Sequence, residues 1–157
     1  MAECRYPPQG TRGFGPRVGT DFGRINACEY AKEANKNLFV WVMIEHCDAV
    51  DVIDNIVATD DLDGIIIGPM DLSASYGVLG QIDQLTVDNA IKHTIEAARR
   101  AGKIVGVGWE TRLDGLKEQF LDRGVQLIQV GCDFMYLTYF WEQIVRSYRE
   151  KIAGFCV

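Results

Sequence analysis

The hydrophobic pattern divides the chain into short, largely apolar runs separated by segments of helical period. Leu38-Phe39-Val40-Trp41-Val42-Met43-Ile44, Ile65-Ile66-Ile67, Lys103 to Val107 and Val125 to Val130 are the apolar runs. They lack in/out alternation, the mark of strands covered on both faces in a parallel sheet. Between them the period changes. Ala27 to Asn35 reads as helix. Asp48 to Ala58 carries apolar residues at 49, 50, 53, 56 and 57. Thr86 to Ala101 places Val87, Ala90, Ile91, Ile95 and Ala98 on one face, with Gly102 as the stop signal. Leu113 to Arg123 predicts a helix ended by Gly124, and Phe134 to Ile152 a last, aromatic-rich one. Four strand–helix alternations predict an α/β protein.

Residues 1–24 break the rhythm. They hold Pro7, Pro8 and Pro16, glycines at 10, 13, 15, 19 and 23, and four arginines (Arg5, Arg12, Arg17, Arg24) without a lysine. This composition predicts a Pro/Gly-rich arm, leaving residues 25–157 as the α/β domain.

The chain is 157 residues long, 48% hydrophobic and 24% charged. It therefore carries enough apolar sequence for one core, but is too short for a complete eight-stranded (β/α) barrel, which takes about 250 residues. A net charge of -6 matches neither nucleic acid nor an anionic membrane. The basic residues Arg99, Arg100 and Lys103 fall where a helix ends, a position that favours cations. No apolar run approaches the ~20 residues of a membrane span. Cysteines at 4, 28, 47, 132 and 156 form an odd set without a C-x-x-C pair. Reduced thiols in a soluble cytoplasmic protein are the expectation.

Chemistry in parallel α/β folds sits at the carboxyl ends of strands. Those ends read Glu45-His46, then Gly68-Pro69-Met70-Asp71-Leu72-Ser73, then Gly106-Val107-Gly108-Trp109-Glu110, and finally Gly131-Cys132-Asp133. An acid follows each of the first two strands. Neighbouring strands lie about 4.8 Å apart, so Glu45 and Asp71 are candidates to share a divalent cation such as Mg or Mn. Helix capping or a loop salt bridge is the plainer use of either carboxylate. Gly68 permits close backbone approach, and the N–H groups of Met70 and Asp71 suit an anion. A simple turn is the plainer reading of that segment. His46 is placed beside the cation end. His93 falls within a helix. The aromatic residues from Phe134 to Trp141 suit a core or a subunit interface.

Several of these segments together resemble the HpcH/HpaI family of class II pyruvate aldolases. They are Arg5-Tyr6-Pro7-Pro8-Gln9-Gly10-Thr11-Arg12-Gly13, the strand Val42-Met43-Ile44-Glu45, the loop Gly68-Pro69-Met70-Asp71-Leu72-Ser73 and the segment Val130-Gly131-Cys132-Asp133. The resemblance implies half of a (β/α)8 TIM barrel, strands five to eight, completed by a homo-oligomer or a complementary chain. An open flavodoxin-like sheet is the structural alternative. It implies a divalent metal (Mg, Mn or Co) on Glu45 and Asp71. A 2-oxo acid would be held at Gly68, Pro69, Met70 and Asp71. The implied reaction is reversible aldol cleavage of 4-hydroxy-2-oxo acids, releasing pyruvate. Met43 stands where many family members carry Gln. The family's arginine and histidine-assisted base belong to strands that precede this sequence, so no residue is assigned as catalytic acid or base. A non-catalytic, self-assembling half-barrel is the competing expectation.

Overall fold

A computed structural model describes residues 1–109 and 115–153. Four strands form one parallel sheet: β1 (Trp41–Ile44), β2 (Gly64–Ile67), β3 (Ile104–Trp109) and β4 (Leu127–Val130). Their spatial order is β1-β2-β3-β4, the same as their order in the chain. A flavodoxin-like sheet reverses direction at a switch point; this order has none, as in the wall of a barrel.

The helices are α1 (Ala27–Asn37), α2 (Cys47–Asp51), α3 (Ile53–Val57), α4 (Pro69–Ser75), α5 (Leu85–Arg100), α6 (Leu116–Gln119) and α7 (Asp133–Ile152). Three differences from the sequence pattern have physical causes. The first apolar run is strand only from Trp41 onward. Before it, Val40 is tied to the loop preceding β2, its N–H donating to Asp63 Oδ2 (2.7 Å) and its carbonyl accepting from Asp63 N–H (2.8 Å). The helix expected over Asp48 to Ala58 breaks at Val52, whose φ of -115° and ψ of 20° leave the helical region. The break costs little burial, because Val50, Ile53 and Val57 still face the core. The expected helix over Leu113 to Arg123 is α6 followed by a 3₁₀ turn at Leu121–Arg123; its first two residues, and Glu110, lie outside the described residues.

The core lies on one face of the sheet. Ile44, Ile65, Ile67, Val105 and Val107 pack there against Val50, Ile53 and Val57 and the inner stripe of α5. Helix α5 buries Val87, Ala90, Ile91, Thr94, Ile95, Ala97 and Ala98. It starts at Gln84, whose side chain accepts from Thr86 N–H, and stops where Gly102 adopts a left-handed φ of +69°. Asp88 anchors its outer side, with Lys92 at 2.7 Å and Arg123 at 2.6 Å. Burial opposes ionisation of this carboxyl, but the hydrogen bonds from Lys92 and Arg123 outweigh it and hold the pKa below the usual range.

The arm is an ordered strap on α1. Tyr6, 2% exposed, donates its N–H to Asn35 Oδ1 (2.8 Å), and Asn35 Nδ2 returns a bond to Tyr6 O (2.9 Å). Arg5 donates to Asn35 O (2.7 Å), and Arg12 lies over the Tyr6 ring. The Arg5-Tyr6-Pro7-Pro8 segment thus works here as a packing clamp.

Candidate active site

The carboxyl ends of β1 and β2 bring Glu45 and Gly68 together. Ile44 pairs in register with Ile67, so the next residue of each strand falls side by side. A Cβ on Gly68 would meet Glu45 Cβ at 3.2 Å, Glu45 Oε2 at 3.4 Å and Met43 Sδ at 3.4 Å. Glycine is what lets both side chains lie over this backbone. Met43 and Glu45 share a face by strand alternation, the one opposite the core.

The segment after β2 is the first turn of a helix and not the simple turn considered above. Pro69 occupies the first position of α4, where its missing N–H is no loss. Asp71 follows in the same turn, exposed to solvent. Leu72 N–H closes the turn on Gly68 O (2.9 Å). Among the described residues neither Glu45 nor Asp71 accepts a hydrogen bond or forms an ion pair, so the capping and salt-bridge uses are not realised. Both offer hard oxygen donors, the kind that Mg, Mn or Co takes in such sites, so the residues present fit a divalent ion.

Two serines position this turn. Ser73, fully buried, donates to Met70 O (2.6 Å) and accepts from Gly80 N–H (2.9 Å). Ser75 donates to Leu72 O (2.7 Å) and accepts from Cys47 N–H (3.0 Å), which links α4 to the mouth of β1. Ser75 was missed in the sequence; its one signal is that it follows Ser73 by two residues.

A cleft of about 480 Å³ opens over the ends of β2, β3 and β4. Pro69, Met70, Gly108, Trp109, Gln129 and Met135 line it. It is mostly apolar, and neither Glu45 nor Asp71 is among its lining residues. Gln129 lies in register with Gly108; it is one of two glutamines in the run Val125 to Val130, and no local pattern sets it apart from Gln126.

The other candidates serve local structure. His46 caps α2, its Nδ1 accepting from Asp48 N–H (3.3 Å). His93 is exposed on α5. Asp133 begins α7 and accepts from Phe134 N–H (2.8 Å). The α7 aromatics do not form a core within this chain, because no residue of that helix is buried.

Parallel strands with unpaired acids at their carboxyl mouths define an α/β protein with the layout of a barrel enzyme. The model of the HpcH/HpaI aldolase/citrate lyase family matches residues 1–138, and the chain belongs to that family. It is 35% identical to a 5-keto-4-deoxy-D-glucarate aldolase of Enterobacter sp. (strain 638) over 98% of its own length and 56% of that protein's. It is equally 35% identical to a hydroxypyruvate/pyruvate aldolase of Roseobacter denitrificans, over 94% of the chain and 57% of the relative. The crystal structure of an HpcH/HpaI aldolase from Desulfitobacterium hafniense superposes with a TM-score of 0.77 at 32% identity, covering 95% of this chain and 57% of that one. The chain thus spans just over half the length of the relatives it matches.

Proposed function

We propose that this chain carries the metal- and carboxylate-binding part of an aldolase that cleaves 4-hydroxy-2-oxo acids to pyruvate and an aldehyde. The observation that supports the reading most directly is the Glu45 carboxylate seated against Gly68, one residue beyond β1, with Asp71 in the helical turn that Gly68 opens. The names of the relatives, a keto-deoxy sugar-acid aldolase and a hydroxypyruvate/pyruvate aldolase, support the substrate class.

Glu45 and Asp71 would hold Mg, Mn or Co. The ion, when bound, supplies Lewis-acid polarisation of the 2-oxo group. The residues of the chain bind and orient the substrate, and none of them is assigned the arginine or the base of the reaction. The N–H groups of Met70 and Asp71 lie in the first turn of α4, where backbone donors have no intrahelical acceptor, and they orient the substrate carboxylate. Gly68 keeps side-chain bulk away from that carboxylate. Pro69 fixes the turn and lines the cleft, which receives the aldehyde portion beside Met70. Ser73 and Ser75 hold the turn in place against the loop at Gly80 and the start of α2.

The test is exchange of the pyruvate methyl protons in deuterated water with Mn or Mg present. Metal-dependent exchange is expected. Its absence from protein shown to bind Mn would overturn the catalytic reading. Mn affinity should be lost in Glu45→Ala and in Asp71→Ala; unchanged affinity in both would remove the site.

Assembly is the second part of the proposal. The four sequentially ordered strands would form half the wall of an eight-stranded barrel, closed by a second copy or a complementary chain. Two observations support it. β1 and β4 each pair on one side only among the described residues, and open parallel edges invite a partner. Helix α7 exposes Leu137, Trp141 and Val145 along an open groove of about 760 Å³. The expected mass in solution is that of more than one chain; a strict monomer would overturn this part.

A further inference from the structure

The three residues after Glu45, where α2 begins, bring unlike ligand groups together. Cys47 Sγ lies 3.8 Å from His46 Nδ1 and 3.8 Å from Asp48 Oδ1, and His46 Nδ1 lies 3.5 Å from Asp48 Oδ2. Around a tetrahedral zinc with bonds of about 2.0–2.3 Å, ligand atoms stand roughly 3.3–3.8 Å apart. The sulfur–nitrogen separation already meets that span, each Asp48 oxygen meets it toward one of the two partners, and with one atom per residue all three lie within 4.8 Å, so rotation of the exposed Asp48 carboxylate closes the set. Glu45 is not part of the set, because its carboxylate turns to Gly68 on the other side of the strand.

We infer that His46, Cys47 and Asp48 form a second metal site, for a borderline or soft divalent ion of the zinc type, apart from the hard-oxygen pair Glu45 and Asp71. The donor set carries the choice of ion. A thiolate and an imidazole favour zinc, cobalt(II) or cadmium, whereas Mg prefers all-oxygen ligands. The sulfur is held in place before any ion arrives: Cys47 N–H donates to Ser75 Oγ at 3.0 Å, and Sγ rests 3.8 Å from Ser75 O. His46 and Asp48 are exposed, which gives the ion a path in and leaves the fourth position to water. Binding has two local costs. The Cys47 proton goes to solvent, since the ion takes the thiolate. His46 Nδ1 gives up the Asp48 N–H, a bond of 3.3 Å, longer than the 2.7 Å cap bond at Gln84. No electron transfer is involved.

Cobalt(II) titration of the reduced chain tests this without any activity measurement. With Mg in excess to occupy the Glu45 and Asp71 pair, a near-ultraviolet sulfur-to-cobalt charge-transfer band should grow to one equivalent, and zinc should bleach it while further Mg should not. The band should vanish in Cys47→Ser. Cobalt affinity should fall by about tenfold or more in His46→Ala and in Asp48→Asn. The band should persist in the Glu45→Ala/Asp71→Ala double variant, so loss of the aldolase site and loss of this one are separable. Absence of the band in the parent chain, or its survival in Cys47→Ser, would overturn the inference.

Discussion

Helices α5 and α7 carry similar sequence patterns and meet opposite fates. Both are long, at 16 and 20 residues, and both have an apolar stripe. Helix α5 buries seven residues against β2, β3 and the short helices beside it. Helix α7 buries none, and Phe134, Leu137, Phe140, Trp141 and Tyr148 are all more than half exposed. The difference lies outside the helices. α5 returns across the sheet between β2 and β3, so its stripe meets strands on both sides. α7 follows the last strand and has no later strand among the described residues to pack on. Amphipathicity thus specifies that a helix has a partner, but not whether that partner lies in the same chain.

The sharpest way to break the comparison is to cut a large apolar side chain back to alanine in each helix. Ile95→Ala in α5, at a side chain 1% exposed, should cost about 2–5 kcal/mol in urea unfolding. Trp141→Ala in α7 should change unfolding of dilute chain by no more than about 0.5 kcal/mol, because the ring is 61% exposed. Equal losses would mean that α7 is packed after all. Next, Leu137→Glu with Trp141→Glu should reduce the mass in sedimentation to that of one chain, with helical circular dichroism unchanged. An undiminished mass would show that this face is not the interface.

A smaller effect concerns the outer side of α5. Asp88→Asn should cost about 1.5–3 kcal/mol at neutral pH, the range for hydrogen bonds to a charged group. The Asp88 pKa is lowered in the folded chain, so its stabilisation is present above the unfolded value of about 3.9 and is lost as pH falls through the lower folded value. The variant should therefore show a flatter acid limb than the parent; identical limbs would discard the linkage. A smaller loss than at Asp88 is expected at α1, where Asn26 Oδ1 accepts from Cys28 and Glu29 N–H. Asn26→Ala should lower stability by about 1 kcal/mol, read as a shift in urea midpoint.

Much of the architecture is legible in one dimension. The four apolar runs do contain the strands, but only β2 is buried throughout, and β1 and β4 expose the face away from the core, so covering of both faces is not met within this chain; Gly102 ends α5 where a positive φ is required. Glu45 can be found because it directly follows an apolar run, and Asp71 because it lies in the first helical turn after the next one. Other features resist. The break at Val52 leaves the helical spacing of buried residues intact, so no change of period marks it. Ser75 reads as an ordinary polar residue, and only the packing of α4 beside β1 gives it Cys47 N–H as a donor. His46, Cys47 and Asp48 are adjacent in sequence, yet adjacency alone does not aim three side chains at one point; the extended His46 backbone entering α2 does.

By itself, then, the sequence determined the α/β class, the strands, the stop signals and the residues at the strand mouths, because these follow from local period and from burial along each segment. Only the tertiary structure decided the strand order, the seating of Glu45 over Gly68 and the exposure of α7. Those depend on which surfaces meet, and contacts between residues distant in sequence are set by packing and not by any local pattern.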